Sequence, residues 1–293
     1  MTLVWASGYN GITDPDAQTY IAAVEAADGQ AIEGDVALSI NDFVVGCKLD
    51  GIWDAIKASC ILAGARTLSG ALVPLKGAAP TNVGGLFVSG DYNRETGLVG
   101  NASTKYLNSN RLRTADPQDN YHLAVHISTL HTLGTVGLYA GSGPTIGTTG
   151  FSHLGRLPDG NHYVRGTNST STDLGSSSTG FFGLSRASST VYTARQNAST
   201  TTITQTSETR PAESNLIFAG RFLSGAINAP VDSRLSFYSI GESLDLEQLD
   251  TRTTRLMNLI SYSLASGLPD LSTMDLDAAS YIGAVYRAGG TLS

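Results

Sequence analysis

Residues 235–264 read LSFYSIGESLDLEQLDTRTTRLMNLISYSL, and within them the hydrophobic period changes once, from that of a strand to that of a helix. Leu235, Phe237 and Ser239 alternate with Ser236, Tyr238 and Ile240, which predicts a strand with those two sets on opposite faces, ended by Gly241. Beyond it Ser243 or Asp245 can cap a helix, and Asp245 and Glu247 stand at the positive end of its dipole. Leu246, Leu249, Thr253, Leu256, Leu259 and Ile260 then make one core-facing stripe. One amphipathic helix closes a long strand-rich region.

Working outward, residues 1–13 form an apolar, Gly-rich arm whose Leu3, Val4 and Trp5 call for a covering partner. Residues 14–80 read as an α-helical anchoring segment: one helix from Asp14-Pro15 through Tyr20, Ile21 and Val24 to Asp28-Gly29, and a second from Asp35 to Lys48. A third helix is expected after Asp50-Gly51, carrying Ile52, Trp53, Ile56 and Cys60. Brief strands are expected at 71–75 and 86–89. From 105 to 240 further apolar runs alternate with Gly, Asn, Asp and Ser turns, and about ten strands at such spacing predict a β-sandwich.

Several of these runs carry a resemblance. Tyr238-x-Ile240-Gly241-x-Ser243-Leu244 followed by a helix, Gly97-Leu98-Val99-Gly100 leading to Tyr106-Leu107, Asp119 to His126, and Asn215 to Gly220 resemble strands of the laminin-G-like, concanavalin A-like jelly rolls. The resemblance covers most of residues 85–264 and implies a mainly β fold, a jelly roll over residues 81–264, preceded by the small helical segment. It brings no catalytic residue with it.

An internal repeat is stronger. Asp275, Asp277, Ala278, Tyr281, Ile282, Ala284, Val285, Ala288 and Gly290 restate Asp14, Asp16, Ala17, Tyr20, Ile21, Ala23, Val24, Ala27 and Gly29 at one constant offset. Residues 265–293 therefore read as a linker and a helix repeating residues 14–29. Asn41-Asp42-Phe43-Val44-Val45-Gly46-Cys47-Lys48 through Trp53, and Ala58 to Ala65, resemble segments of tailed-bacteriophage virion structural proteins, best over residues 14–110. That resemblance implies a virion protein, of tail-fibre, baseplate or capsid-decoration type, made in the host cytoplasm. Its partners would be other virion proteins and further copies of itself, with a trimer expected from the symmetry such proteins favour. The arm residues together with Tyr20, Ile21, Val24, Tyr281, Ile282 and Val285 are the expected assembly contacts.

Composition narrows the partners. Eighteen Lys and Arg against 25 Asp and Glu give a net charge of −7 and no basic stripe, which argues against nucleic acid. No apolar run approaches the ~18 residues of a membrane span, and the first residues lack the basic flank of a signal peptide, so no membrane insertion is expected. Cys47 and Cys60, both placed in helical sequence, make no disulfide framework and suit a reducing cytosol.

The usual signatures of catalysis are missing. There is no Gly-x-Ser-x-Gly elbow, Walker loop, His-Glu-x-x-His or paired Cys motif, and no cofactor is implied; the expectation is that the chain is not an enzyme. His122 and His126 share one strand face without an acidic or Cys partner at ligand spacing, so they read as exposed strand histidines, and His131, His153 and His162 as loop or edge residues; no metal site is expected. Asp14, Asp16, Asp275 and Asp277 stand before helices and read as caps. The feature that leans toward a ligand is aromatic: Tyr139, Phe151, Tyr163 and Tyr192 alternate with small polar residues, a composition suited to stacking on sugar rings at loop tips. A host-surface glycan is the expected ligand, and a carbohydrate-binding module acting as a receptor-binding adhesin is the alternative to a purely structural part. A polysaccharide depolymerase comes third.

Overall fold

The structure, a computed structural model, describes residues 11–143, 150–196, 198–222, 225–265, 271 and 275–287. Its helices are α1 (Pro15–Asp28), α2 (Gly34–Leu49), the single turn α3 (Leu68–Ala71), α4 (Leu246–Leu264) and α5 (Leu276–Arg287). Its strands are β1 (Ile56–Ile61), β2 (Thr81–Asn82), β3 (Tyr92–Asn93), β4 (Gly97–Val99), β5 (Leu107–Leu112), β6 (Tyr121–Thr129), β7 (Gly137–Gly143), β8 (Phe151–Arg156) and β9 (Asn161–Asn168). They continue with β10 (Thr172–Ser176), β11 (Gly180–Arg186), β12 (Val191–Gln196), β13 (Ser199–Thr204), β14 (Ser214–Ile217), β15 (Gly220–Phe222), β16 (Ile227–Asn228) and β17 (Arg234–Gly241). The chain is mainly β. The first sheet runs β13-β12-β11-β6-β17-β4-β3 with β1 also on β17; the second runs β10-β9-β8-β7-β14-β5-β2, with β15 and β16 attached at β7.

The two sheets pack face to face over Leu123, Val125, Phe182, Tyr238 and Ile240 from the first and Tyr139, Leu154, Val164 and Ile217 from the second. The expected β17 is present, but its faces differ from simple alternation. Pairing with β6 shifts between Leu235 and Phe237, so one extra residue is accommodated there as a bulge. Leu235 consequently joins Tyr238 and Ile240 between the sheets, while Phe237 faces the other way.

That other face is roofed by helices. Phe237, Phe181 and Ala124 share a core with Tyr20, Ile21 and Val24 of α1, Phe43 of α2 and Leu249, Leu256 and Ile260 of α4. Asp245 caps α4, accepting from the amides of Glu247 and Gln248, and every residue of the expected stripe is buried. Asp14 caps α1 and Asp275 caps α5 by the same pair of amide bonds, to the second and third residues beyond each.

Residues 52–60 depart from expectation. Trp53–Ala55 is a 3-10 turn and the rest is β1, antiparallel to β17. Ile56 and Ile61 face the helices while Ala58 and Cys60 face the second sheet, so the run is apolar on both sides and its spacing imitates a helix. Cys60 is thus a strand residue. The core shared by α1, α2, β17 and α4 also crosses residue 80, so the helical segment and the sandwich are not separate cores. The strand expected at 71–75 is absent, its first residue ending α3, which the Thr67 hydroxyl caps, and 86–88 are irregular chain between two short 3-10 turns, Val83–Gly85 and Ser89–Asp91.

Candidate functional site

The second sheet presents its outer face without a helical roof among the described residues. Alternation decides what stands there. On β8, Leu154 points between the sheets, leaving Phe151, His153 and Gly155 outward; on β9, Val164 points inward, leaving Tyr163 and Arg165 outward. Leu138 of β7 joins Phe151 and Tyr163 in a small outer cluster.

Glycines let these rings lie along the sheet. Gly155 sits opposite Tyr163, and a Cβ there would come 2.5 Å from the Tyr163 ring; a Cβ on Gly143 would run into Phe151. His153 is held between them, its ring centroid 5.1 Å from Phe151 and 4.7 Å from Tyr163, both edge-to-face. The result is a groove of about 440 Å³, within the ~300–1,000 Å³ range of ligand sites, lined by Leu138, Phe151, His153, Tyr163, Arg165 and Asp173 and rimmed by Val136, Leu157 and Asn228.

Its polar groups are unequally satisfied. His153 is only 5% exposed, and neither ring nitrogen has a hydrogen-bond partner among the described residues. Burial holds its pKa well below the ordinary value, with Arg165 and Arg113 adding to the effect, so the ring is neutral and offers one donor and one acceptor. Arg165 donates from Nε to Ser171 Oγ at 3.0 Å and lies 6.0 Å from the Phe151 ring centroid; burial lowers its pKa also. Asp173 is occupied, accepting from Asn161 Nδ2 at 3.0 Å and the Gly175 amide at 2.8 Å.

A buried cation fixes one end of this surface. Arg113, 4% exposed, donates from Nη1 to the carbonyls of Ser142 at 3.1 Å and Gly150 at 2.7 Å, and from Nη2 to Thr167 Oγ1 at 3.0 Å. Burial lowers its pKa to about 10.

Of the four aromatics singled out in the sequence, the structure brings Phe151 and Tyr163 together, in a groove floor rather than at loop tips. Tyr139 and Tyr192 are core residues, 0% and 1% exposed, between the sheets. The bulge between Leu138 and Ala140 turns Tyr139 inward. Tyr20, Ile21 and Val24, expected as assembly contacts, are buried in their own chain's core. Tyr281 is exposed, Ile282 and Val285 are half-buried, and Leu3, Val4 and Trp5 lie outside the described residues.

All five histidines are buried rather than exposed. His122 Nδ1 donates to the Glu242 carbonyl at 2.6 Å and its Nε2 accepts from Ser239 Oγ at 2.7 Å; burial lowers its pKa to about 4. His126 bonds Ser236 Oγ at 2.7 Å, and His131 Nδ1 meets Asp232 Oδ1 at 2.5 Å. His162 donates to Gln196 Oε1 at 2.7 Å, stacks on Phe182, and has a pKa lowered to about 4 by burial. Among the described residues no three His, Cys, Asp or Glu side chains converge as metal ligands would. A larger hollow of about 570 Å³ between α4, α5 and β12 is lined by charges already engaged, Arg195 with Asp250 at 2.8 Å and Arg255 with Asp42 at 2.7 Å.

His153 and Arg165 were missed in the sequence. The signal was there: aromatic, histidine and glycine at every second residue from 151 to 155, and Tyr163 and Arg165 two apart, each the pattern of one strand face.

No protein-family model and no curated protein matches the chain. Among solved structures it is similar to the CBM40 of the Ruminococcus gnavus IT-sialidase bound to alpha2,3 sialyllactose, at 15% identity and a TM-score of 0.38 over 47% of this chain and 84% of that chain. It is also similar to Trypanosoma rangeli sialidase in complex with sialic acid, at 10% identity and a TM-score of 0.48 over 69% of this chain and 33% of that chain. A third is the leech intramolecular trans-sialidase complexed with 2,7-anhydro-Neu5Ac, at 13% identity and a TM-score of 0.36, where 48% of this chain covers 24% of that chain. The two-sheet sandwich stands on the strand pairing itself, and the virion resemblance gains nothing from these matches.

Proposed function

We propose that the protein is a carbohydrate-binding module whose site is the groove on the bare face of the second sheet, and that it acts as a receptor-binding adhesin. One observation carries the reading: a buried, neutral histidine with both ring nitrogens unpartnered among the described residues, set between two aromatic rings and beside an arginine. An unsatisfied buried polar group costs roughly 1–3 kcal/mol, and a ligand hydroxyl reaching His153 would offset that cost. A sugar ring supplies such hydroxyls on its edge and apolar C–H groups for Phe151, Tyr163 and Leu138 on its face. Arg165 would orient an acidic or hydroxyl substituent. Among the described residues Asp173 is the single carboxylate in the lining, whereas glycoside hydrolysis ordinarily takes two, so the reading is binding without turnover.

The resemblance of residues 14–110 to phage virion proteins supports a setting for this binding, a particle surface facing its host. The test is a titration of the full chain with a panel of neutral and acidic oligosaccharides, followed by NMR. Saturable shifts of groove resonances that vanish in Arg165→Ala are expected. A panel without any saturable shift would sink the reading, and release of reducing sugar would replace binding by hydrolysis.

A further inference from the structure

The repeated helix is built twice but used differently. In α1, Ala17, Tyr20, Ile21 and Val24 are all buried in the shared core, while Gln18 and Ala22 are exposed. In α5 the orientation is turned. Ala279 and Gly283, the counterparts of Gln18 and Ala22, are buried against α4, and Gly283 lies so close to Asn258 that a Cβ would collide with its carbonyl. The counterparts of the α1 core residues look outward: Ala278 is exposed, Tyr281 is 71% exposed, and Ile282 and Val285 are half-buried. A small-residue face specific to α5 thus holds it on its own chain, and the α1-like face is left largely open: Tyr281 stands in solvent, Ile282 packs only at the edge of the Leu259–Tyr262 cluster, and Asp277 pairs with Arg255, a contact that exchange would trade for Lys48.

The surface that such a face fits is already in the molecule. Where α1 sits, Lys48 Nζ reaches both Asp14 carboxylate oxygens at 2.8 Å and Asp16 Oδ2 at 2.7 Å, and Trp53 Nε1 donates to Asp16 Oδ2 at 3.0 Å. Asp275 and Asp277 repeat both acceptors at the same spacing ahead of the same Tyr-Ile pair, so charge and apolar face match together.

We propose that α5 of one copy can occupy the α1 seat of a second copy, linking chains head to tail by exchange of equivalent helices. Exchange of this kind reuses contacts the fold has already optimised, and a head-to-tail link extends or closes into a ring according to its rotation. The intramolecular α1 holds an advantage: Asp28 accepts from the amides of Arg66 at 2.7 Å and Thr67 at 2.9 Å, and the repeat has Gly289 at that position. Exchange is therefore weak and concentration-driven, and loosening Asp28 strengthens it.

Sedimentation and amide hydrogen exchange of the full chain, from micromolar to submillimolar concentration, test this. Mass above that of one chain is expected at high concentration, at least tenfold lower onset in Asp28→Ala, and loss of association in Tyr281→Glu, whose site is solvent-exposed and leaves the fold intact. Faster exchange of the α1 amides is expected on association, because the displaced α1 is released. A chain that stays monomeric even as Asp28→Ala overturns the proposal. So does association that survives Tyr281→Glu, or association in which the α1 amides stay protected.

Discussion

The two outer faces of the sandwich are opposites. On the first sheet the outward residues are roofed by α1, α2 and α4, and its histidines are satisfied: His122 by Glu242 and Ser239, His126 by Ser236. On the second sheet the outward residues meet no roof among the described residues, and His153 is buried with both nitrogens unpartnered. The same residue type in the same kind of strand is hydrogen-bonded in one place and without a hydrogen-bond partner among the described residues in the other. What separates the two is whether a hydroxyl or carbonyl of the chain stands within reach, and on the first sheet those groups come from the neighbouring strand β17 and the residue just after it, Ser236, Ser239 and Glu242.

The roofed face holds the core that joins α1, α2 and α4 to the sandwich. Phe237→Ala removes a fully buried ring that contacts Phe43 at a centroid distance of 5.7 Å, and should cost about 3–5 kcal/mol of unfolding free energy by denaturant titration, with the groove's binding intact in the folded fraction. Acid comes next. His122 and His162 have folded pKa values lowered to about 4 against an ordinary value of 6.5, so protons bind preferentially to the unfolded chain as pH falls through that interval. Their contribution is whole above pH 6.5, is lost toward pH 4 at up to about 1.4 kcal/mol per pH unit for each histidine, and changes no further below it. Unfolding midpoints measured across that range should show the slope, and His162→Gln should reduce it.

Smaller effects sharpen the other face. His153→Phe keeps the ring and removes the unpartnered nitrogens, so it should raise stability by roughly 1–2 kcal/mol while weakening glycan binding about tenfold. A loss of stability instead would mean that His153 has a structural partner. Smallest in stability is Arg165→Ala, expected to stay within about 0.5 kcal/mol of the parent in thermal unfolding, because its side chain is only half-buried, while removing the groove's cation.

How much of this was legible follows the same division. The α4 stripe was readable residue by residue, because a helix against a core on one side writes a full 3.6 period. The caps were readable to within a choice, because a capping side chain acts within three residues of itself: Asp245 was taken from Ser243 or Asp245, and Asp14 and Asp275 from pairs whose second members, Asp16 and Asp277, lie inside the first turn. β17 was readable as a strand, yet Leu235 was assigned to the wrong face because one bulge reverses parity and leaves no mark in the sequence. β1 was taken for a helix because it is buried on both sides. The histidines were placed outward on the rule that polar residues face water, and the roof that buries His122 and His126 comes from segments more than 70 residues before them and more than 100 after. Within the site, Phe151 and Tyr163 could be named, but their separation from Tyr139 and Tyr192 turned on strand parity, and His153 acquired meaning only once its lack of a partner could be seen.

Arg113 grips the β7 and β8 ends through the main-chain carbonyls of Ser142 and Gly150, not through their side chains. The grip is on main-chain oxygens, yet neither residue is interchangeable: Gly150 has a φ of +78° and a Cβ there would run into the Thr209 carbonyl, and Ser142 Oγ donates to Asn215 Oδ1 at 2.9 Å. Arg113 is thus a fastener between strand ends: it ties the start of β8, with Phe151 and His153, to the end of β7 and, through Thr167, to β9.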